Sequence, residues 1–131
     1  MESSTECIEL VLPFKAEYVS VARLTVSGIA NRIGFDIEAI EDIKVAVSEV
    51  CSKLVQVGSK SAVQYKIIFN ITKSSLNIVY ACEDKSLKCI FDDEMDELAI
   101  PIINAMMDSV ELCSGGNYIL SMSRKFASLM T

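Results

Sequence analysis

The chain contains no histidine. That single absence removes Ser-His-Asp and Cys-His catalysis from consideration. It also removes a Cys/His zinc site, because none of the five cysteines, Cys7, Cys51, Cys82, Cys89 and Cys113, pairs in a C-x-x-C spacing. Such sites need closely spaced donors, and no metal centre is expected. An odd number of scattered thiols suits reduced, partly buried cysteines; a redox or small-molecule sensor using Cys51 and Cys82 is the alternative. No segment approaches the roughly 20 uncharged apolar residues that span a bilayer. The opening MESSTECIEL has neither a basic start nor an apolar stretch, so no secretory leader is expected and the cytoplasm is the expected compartment. Basic charge is also scarce. Twelve Lys and Arg stand against eighteen Asp and Glu, giving net charge −6 and a pI near 4.6. Such a surface repels phosphate backbones, which argues against nucleic-acid binding.

What the chain does have is apolar content. Hydrophobic residues make up 51% of its 131 positions, enough for a single folded domain over residues 1–131. Ile8, Leu10, Leu12 and Phe14 alternate within residues 7–14, as in a half-buried strand. Val19, Ala22, Val26, Ile29 and Ile33 then recur at helical spacing, and Gly34 is placed to end that helix. Asp36 is placed to cap a second helix with the stripe Ile40, Ile43, Val47, Val50 and Leu54, closed by Gly58. Residues 62–71 and 76–82 alternate around the turn TKSS and predict a hairpin, followed by an acidic loop over 83–97. Pro101 predicts the first turn of a third helix running to about Val110. VELC at 110–113 and YILSM at 118–122, around SGGN, predict a second hairpin. The order β-α-α-β-β-α-β-β, with one polar face per strand, predicts an α+β fold. It is a two-layer sandwich with a mostly antiparallel sheet and helices on one face.

The first helix carries a second apolar stripe, Val21, Leu24 and Gly28. Either both stripes are buried within the chain, or one of them meets another chain. In the second helix, Glu49 and Lys53 sit one turn apart in an otherwise oily segment.

The run EYVSVARLTVSGIANRIGFDIEAIEDIKVAVSEVCSKLVQVG, residues 17–58, resembles the first half of bacterial anti-sigma factors that are also serine-protein kinases. These belong to the gyrase, histidine-kinase and MutL ATPase superfamily. The resemblance is strong over residues 7–58 and continues more weakly, by element order, to about residue 126. It implies the histidine-kinase-like ATPase fold and Mg-ATP binding. It also implies sequestration of a sigma factor, phosphorylation of an antagonist protein on serine, and homodimers. Arg23 matches an arginine that in relatives lies on the partner-facing surface, with Val21 and Leu24 beside it.

Three motifs carry the nucleotide chemistry in that family, and this sequence departs from each. The first is a glutamate followed four residues later by an asparagine. The glutamate activates the attacking hydroxyl and the asparagine oxygen holds magnesium. Glu49 matches the glutamate, but Lys53 stands at the asparagine. A lysine offers only donors and a positive charge, so it cannot ligate a cation that demands oxygen. The second is an aspartate that accepts from the adenine amino group, with a glycine two residues on. Cys82 and Asp84 stand there. The third is a glycine-rich segment whose N–H groups cradle phosphate at a helix start. Asp96, Glu97 and Ala99 occupy it.

The resemblance with its departures therefore implies an anti-sigma-factor-like regulator that acts by protein–protein binding, with a degenerate ATP site and no cofactor. In that reading Glu49 and Lys53 form an i,i+4 ion pair worth about 0.3 kcal/mol. The implied partners are a sigma factor, an anti-sigma factor antagonist, or both, and a second copy of the chain. The alternative is a divergent serine-protein kinase that keeps Glu49 as base, uses Mg-ATP and recruits Glu83 or Asp84 for the metal.

Overall fold

A computed structural model describes residues 6–87, 90–92, 98–112 and 118–126. Asp96 and Glu97, two of the cysteines (Cys89 and Cys113) and the SGGN turn lie outside the described residues. The element order is β1 (Glu6–Pro13), α1 (Val19–Ile33), α2 (Ile37–Val57), β2 (Gln64–Ile71), β3 (Ser75–Ala81), α3 (Ala99–Met106), β4 (Ser109–Leu112) and β5 (Leu120–Lys125). Short 3-10 turns precede α1 and follow β3.

The turn between α1 and α2 is set by two residues. Gly34 takes φ 105°, a left-handed conformation that costs a glycine nothing. The Phe35 N–H donates to Ala30 O at 3.1 Å and the Gly34 N–H to Asn31 O at 3.3 Å, which is a Schellman motif. Asp36 then accepts from the Ala39 N–H at 2.8 Å through its side chain, so one helix stops and the next starts within three residues.

The five strands form one antiparallel sheet in the order β1-β2-β3-β5-β4. Alternation points every second side chain toward the helix side of the sheet. One row across the sheet reads Leu10, Ile67, Tyr80, Leu120 and Leu112, and the next reads Ile8, Phe69, Ile78, Met122 and Val110. The helices cover this face with Ala22, Val26, Ile29, Ile43, Val47, Val50 and Leu54, all buried. Among the described residues no helix covers the opposite face, which carries a polar ladder in which Asn77 donates to Ser121 Oγ at 3.1 Å.

Two expectations are corrected. The third helix begins at Ala99, two residues before Pro101, and ends at Met106 rather than near Val110. Pro101 still falls in the first turn, where its missing N–H has no intrahelical partner to lose. The helix ends early because strand pairing takes over. The Asp108 N–H donates to Ser123 O at 2.9 Å, while Arg124 donates to Met106 O at 2.5 Å and pairs with Asp42 of α2 at 3.2 Å. The second correction concerns the acidic loop. Its described part is not simply solvated, because its 3-10 turns push Leu87 and Phe91 into the core at 3% and 6% exposure.

Candidate functional site

The site begins on α2, whose buried stripe faces the sheet and whose outer flank carries Glu49 and Lys53 one turn apart, both half-buried. Glu49 does not pair with Lys53. It takes no part in an ion pair or side-chain hydrogen bond among the described residues. It lines a groove of about 550 Å³ between α1 and α2, together with Ser20, Arg23, Leu24, Glu41, Lys44, Val45 and Ser48. The structure thus brings together the candidate base and two of the candidate partner-binding residues, Arg23 and Leu24. Val21 is 36% exposed and Leu24 73%, so the second stripe of α1 meets solvent within one chain. Leu24 also borders a second, mostly apolar groove with Ile8, Gly28 and Ile71.

The positions after β3 open elsewhere. The Cys82 thiol approaches Gln64 O at 3.7 Å. It lines a groove of about 410 Å³ on the open side of the sheet with Val11, Lys66, Ile68 and Ala81. Asp84 is tied down. It accepts from Ser59 Oγ at 2.6 Å, from Ser86 Oγ at 2.7 Å and from the Ser86 N–H at 3.0 Å. The Ser59 hydroxyl, followed by the two Ser86 donors, holds its carboxyl below the usual carboxylate range. Ala99 is buried at the first residue of α3, while Asp96 and Glu97 lie outside the described residues.

Beneath α2 the space against the sheet is filled by two tyrosines and a thiol. The Tyr80 hydroxyl donates to Val47 O at 3.3 Å and lies 3.7 Å from Cys51 Sγ. The Tyr65 hydroxyl is buried facing the Cys51 thiol, with no hydrogen bond of ordinary geometry among the described residues. Burial raises the Cys51 thiol and pushes both phenols well above their usual range. Cys51 is fully buried and Cys82 only partly so, which separates the two thiols that sequence reasoning had grouped.

Sequence reasoning missed Ser59 as the anchor of Asp84. The signal present was weak: a serine just past the Gly58 that ends α2, in a stretch suited to capping and turn bonds. It also missed the α2 wall of the groove, where the exposed Val45 stands outside the buried stripe.

Comparison with known proteins agrees with this architecture. Residues 12–124 match the histidine kinase-like ATPase domain family. The chain is 33% identical over 134 residues to "Serine-protein kinase RsbW" of Halalkalibacterium halodurans, covering 91% of this chain and 83% of that protein. It is 34% identical over 125 residues to the Bacillus cereus protein of the same name, covering 82% and 77%. With its five-stranded antiparallel sheet and three helices on one face, this chain belongs to the histidine kinase-like ATPase domain family.

Proposed function

We propose that the chain is an anti-sigma-factor-like regulator of transcription that works in the cytoplasm by protein–protein binding, through an ATP site that has lost its nucleotide chemistry. The observation that carries this reading is Lys53. It stands one turn after Glu49 on α2, at the place where the family resemblance puts a magnesium-holding oxygen. An ammonium has no lone pair to give a cation and repels it at close range. Asp84 adds support. Where the resemblance implies a glycine that leaves room for the base, a carboxylate is fixed to Ser59 and Ser86. Cys82 replaces a strong acceptor with a weak one. The residues described do not fit Mg-ATP as the relatives' motifs would hold it.

The partners in this reading are a sigma factor, an anti-sigma factor antagonist, or both, and a second copy of the chain. The exposed stripe of Val21 and Leu24 beside Arg23 is the surface that supports it. Glu49 is the one observation favouring the alternative, a divergent kinase acting on an antagonist serine, because it keeps a base at the family position.

The first experiment is Mg-ATP binding, read by calorimetry and by the melting temperature. A ligand at a hundredfold excess over Kd adds about 2.7 kcal/mol of stability. Neither heat nor shift is expected, while titration with the sigma factor or antagonist gives a complex. A magnesium-dependent shift, with labelled phosphate transfer lost in Glu49→Gln, overturns the reading in favour of the kinase.

A further inference from the structure

The face of the sheet turned away from the helices is apolar at one end. Alternation sends Val11 of β1, Lys66 and Ile68 of β2 and Ala81 of β3 outward, and the strand register sets Val11, Lys66 and Ala81 side by side in one row. The segment after α2 adds Val63 to the rim, and the segment after β3 adds Cys82, Glu83 and Lys85. We propose that the groove these residues line is a binding site for a small amphiphilic carboxylate, a molecule with one apolar body and one carboxylate group. The inference goes beyond the protein-binding role above and does not depend on it.

Three observations carry it. First, the floor is apolar where a solvated sheet face requires no apolar residue. Val11 is 46% exposed, Val63 is 80% exposed, and Ile68 between them has no helix over it among the described residues. A group of such residues together, unlike one alone, marks a contact surface. Second, the groove is concave and holds about 410 Å³, within the roughly 300–1,000 Å³ of small-molecule sites. Third, its charge is opposite in sign to that of the chain. Its lining carries two cations, Lys66 and Lys85, against one anion, Glu83, in a chain with twelve basic and eighteen acidic residues. Lys85 has no ion-pair partner among the described residues. Lys66 pairs with Glu9 at 3.3 Å, but both side chains are about half exposed, so the pair is weak and an incoming carboxylate can share the ammonium. The exposed Glu83 disfavours a second negative charge on the ligand, which selects a monoanion over a polyphosphate.

The apolar body of the ligand lies across Val11, Ile68 and Ala81, and its carboxylate reaches the ammonium groups of Lys66 and Lys85 in charge-assisted contacts. This site is separate from the space beneath α2. That space is on the other face of the sheet and is filled by Tyr65, Tyr80 and Cys51. The groove also contains its own reporter. The Cys82 thiol is partly exposed and approaches only Gln64 O, at 3.7 Å, so a molecule in the groove covers it.

The probe is octanoate, added at millimolar concentration to the isotopically labelled full chain and followed by amide NMR. Saturable shifts are expected at Val11, Val63, Ile68, Ala81 and Cys82, together with slower alkylation of Cys82 and unchanged alkylation of Cys7. Octanol and octylammonium, which keep the apolar body and lose the carboxylate, bind about tenfold more weakly. Lys85→Glu weakens octanoate by about tenfold as well. Lys73→Glu makes the same change of charge in the turn at the far end of the β2–β3 hairpin and leaves the affinity as it was. Ile68→Asp and Val63→Asp each weaken binding about tenfold. Val63 lies outside the strands, so its variant carries the test if Ile68→Asp fails to fold. The proposal is overturned if no shift saturates or if the shifts fall on another face. It is overturned if octanol or octylammonium binds as tightly as octanoate, or if Lys73→Glu weakens binding as much as Lys85→Glu. Mg-ATP producing the same shifts also overturns it, because the groove then belongs to a nucleotide site. Each of these results leaves sigma-factor or antagonist binding untouched, so the two readings fail separately.

Discussion

Two tyrosines on the same face of the sheet should respond oppositely to the loss of one oxygen. Tyr65 and Tyr80 are 1% and 0% exposed. The Tyr80 hydroxyl donates to Val47 O, so Tyr80→Phe loses a bond of about 1 kcal/mol. The Tyr65 hydroxyl faces only the weakly hydrogen-bonding Cys51 thiol and makes no hydrogen bond of ordinary geometry among the described residues, so the wild type carries most of its desolvation penalty without return. Tyr65→Phe removes that penalty, and the gain is about 1 kcal/mol at the low end of the range for a buried unsatisfied group. The Phe14 ring, with its centroid 5.1 Å from that of Tyr65, still packs against phenylalanine, so little is lost. For 131 residues at about 2.1 cal/mol/K each, the unfolding entropy is roughly 0.28 kcal/mol/K, and 1 kcal/mol moves Tm by about 4 °C. Urea denaturation of both variants gives the sign directly from the midpoint, provided the slope m is constant. A Tyr65→Phe protein that loses as much stability as Tyr80→Phe, with m unchanged, refutes the reasoning, because the hydroxyl must then make a full hydrogen bond.

Other consequences are equally direct. Stability should fall at alkaline pH: both phenols and Cys51 have raised values when folded, so their contribution is complete below the unfolded values near 9 to 10 and is lost as pH rises beyond them. Titration of the urea midpoint from pH 8 to 11 checks this, and the double variant Tyr65→Phe with Tyr80→Phe should flatten the decline. Asp84→Asn should flatten the acid side instead. A depressed folded value gives stability that is complete above the unfolded value of about 3.9 and lost as pH falls through the folded one. Asp36→Ala removes the α2 cap and should cost about 1 kcal/mol, or roughly 4 °C in Tm. Alkylation of the native protein, mapped by mass, should modify Cys7 and Cys82 and reach Cys51 only after unfolding.

Most of the fold was legible because its elements announce themselves locally. The stripe from Val19 to Ile33 and the alternation from Tyr65 to Ile71 reflect the two side-chain periods, and Gly34 and Asp36 mark a helix stop and start by known backbone chemistry. The end of α3 was not legible, because it depends on Arg124 and Ser123, which lie far along the chain. The burial of Leu87 and Phe91 was hidden by the acids around them. At the candidate site, the identities of Glu49, Lys53, Cys82 and Asp84 could be read from spacing and resemblance. Their directions could not. That Glu49 opens toward Arg23, and that Asp84 is bound to Ser59, are results of packing between segments.

The position of β5 has a consequence for how the molecule comes into being. Among the described strands it comes last in sequence, yet it lies inside the sheet between β3 and β4. Until it emerges from the ribosome, β4 has no neighbour, β3 has an open edge, and the end of α3 lacks its arginine cap. The sheet therefore closes only once Leu120–Lys125 has inserted between β3 and β4. A chain cut or stalled before Leu120 loses the strand that ties β4 to the rest of the sheet, and it presents an unpaired β3 edge to whatever other strand is near.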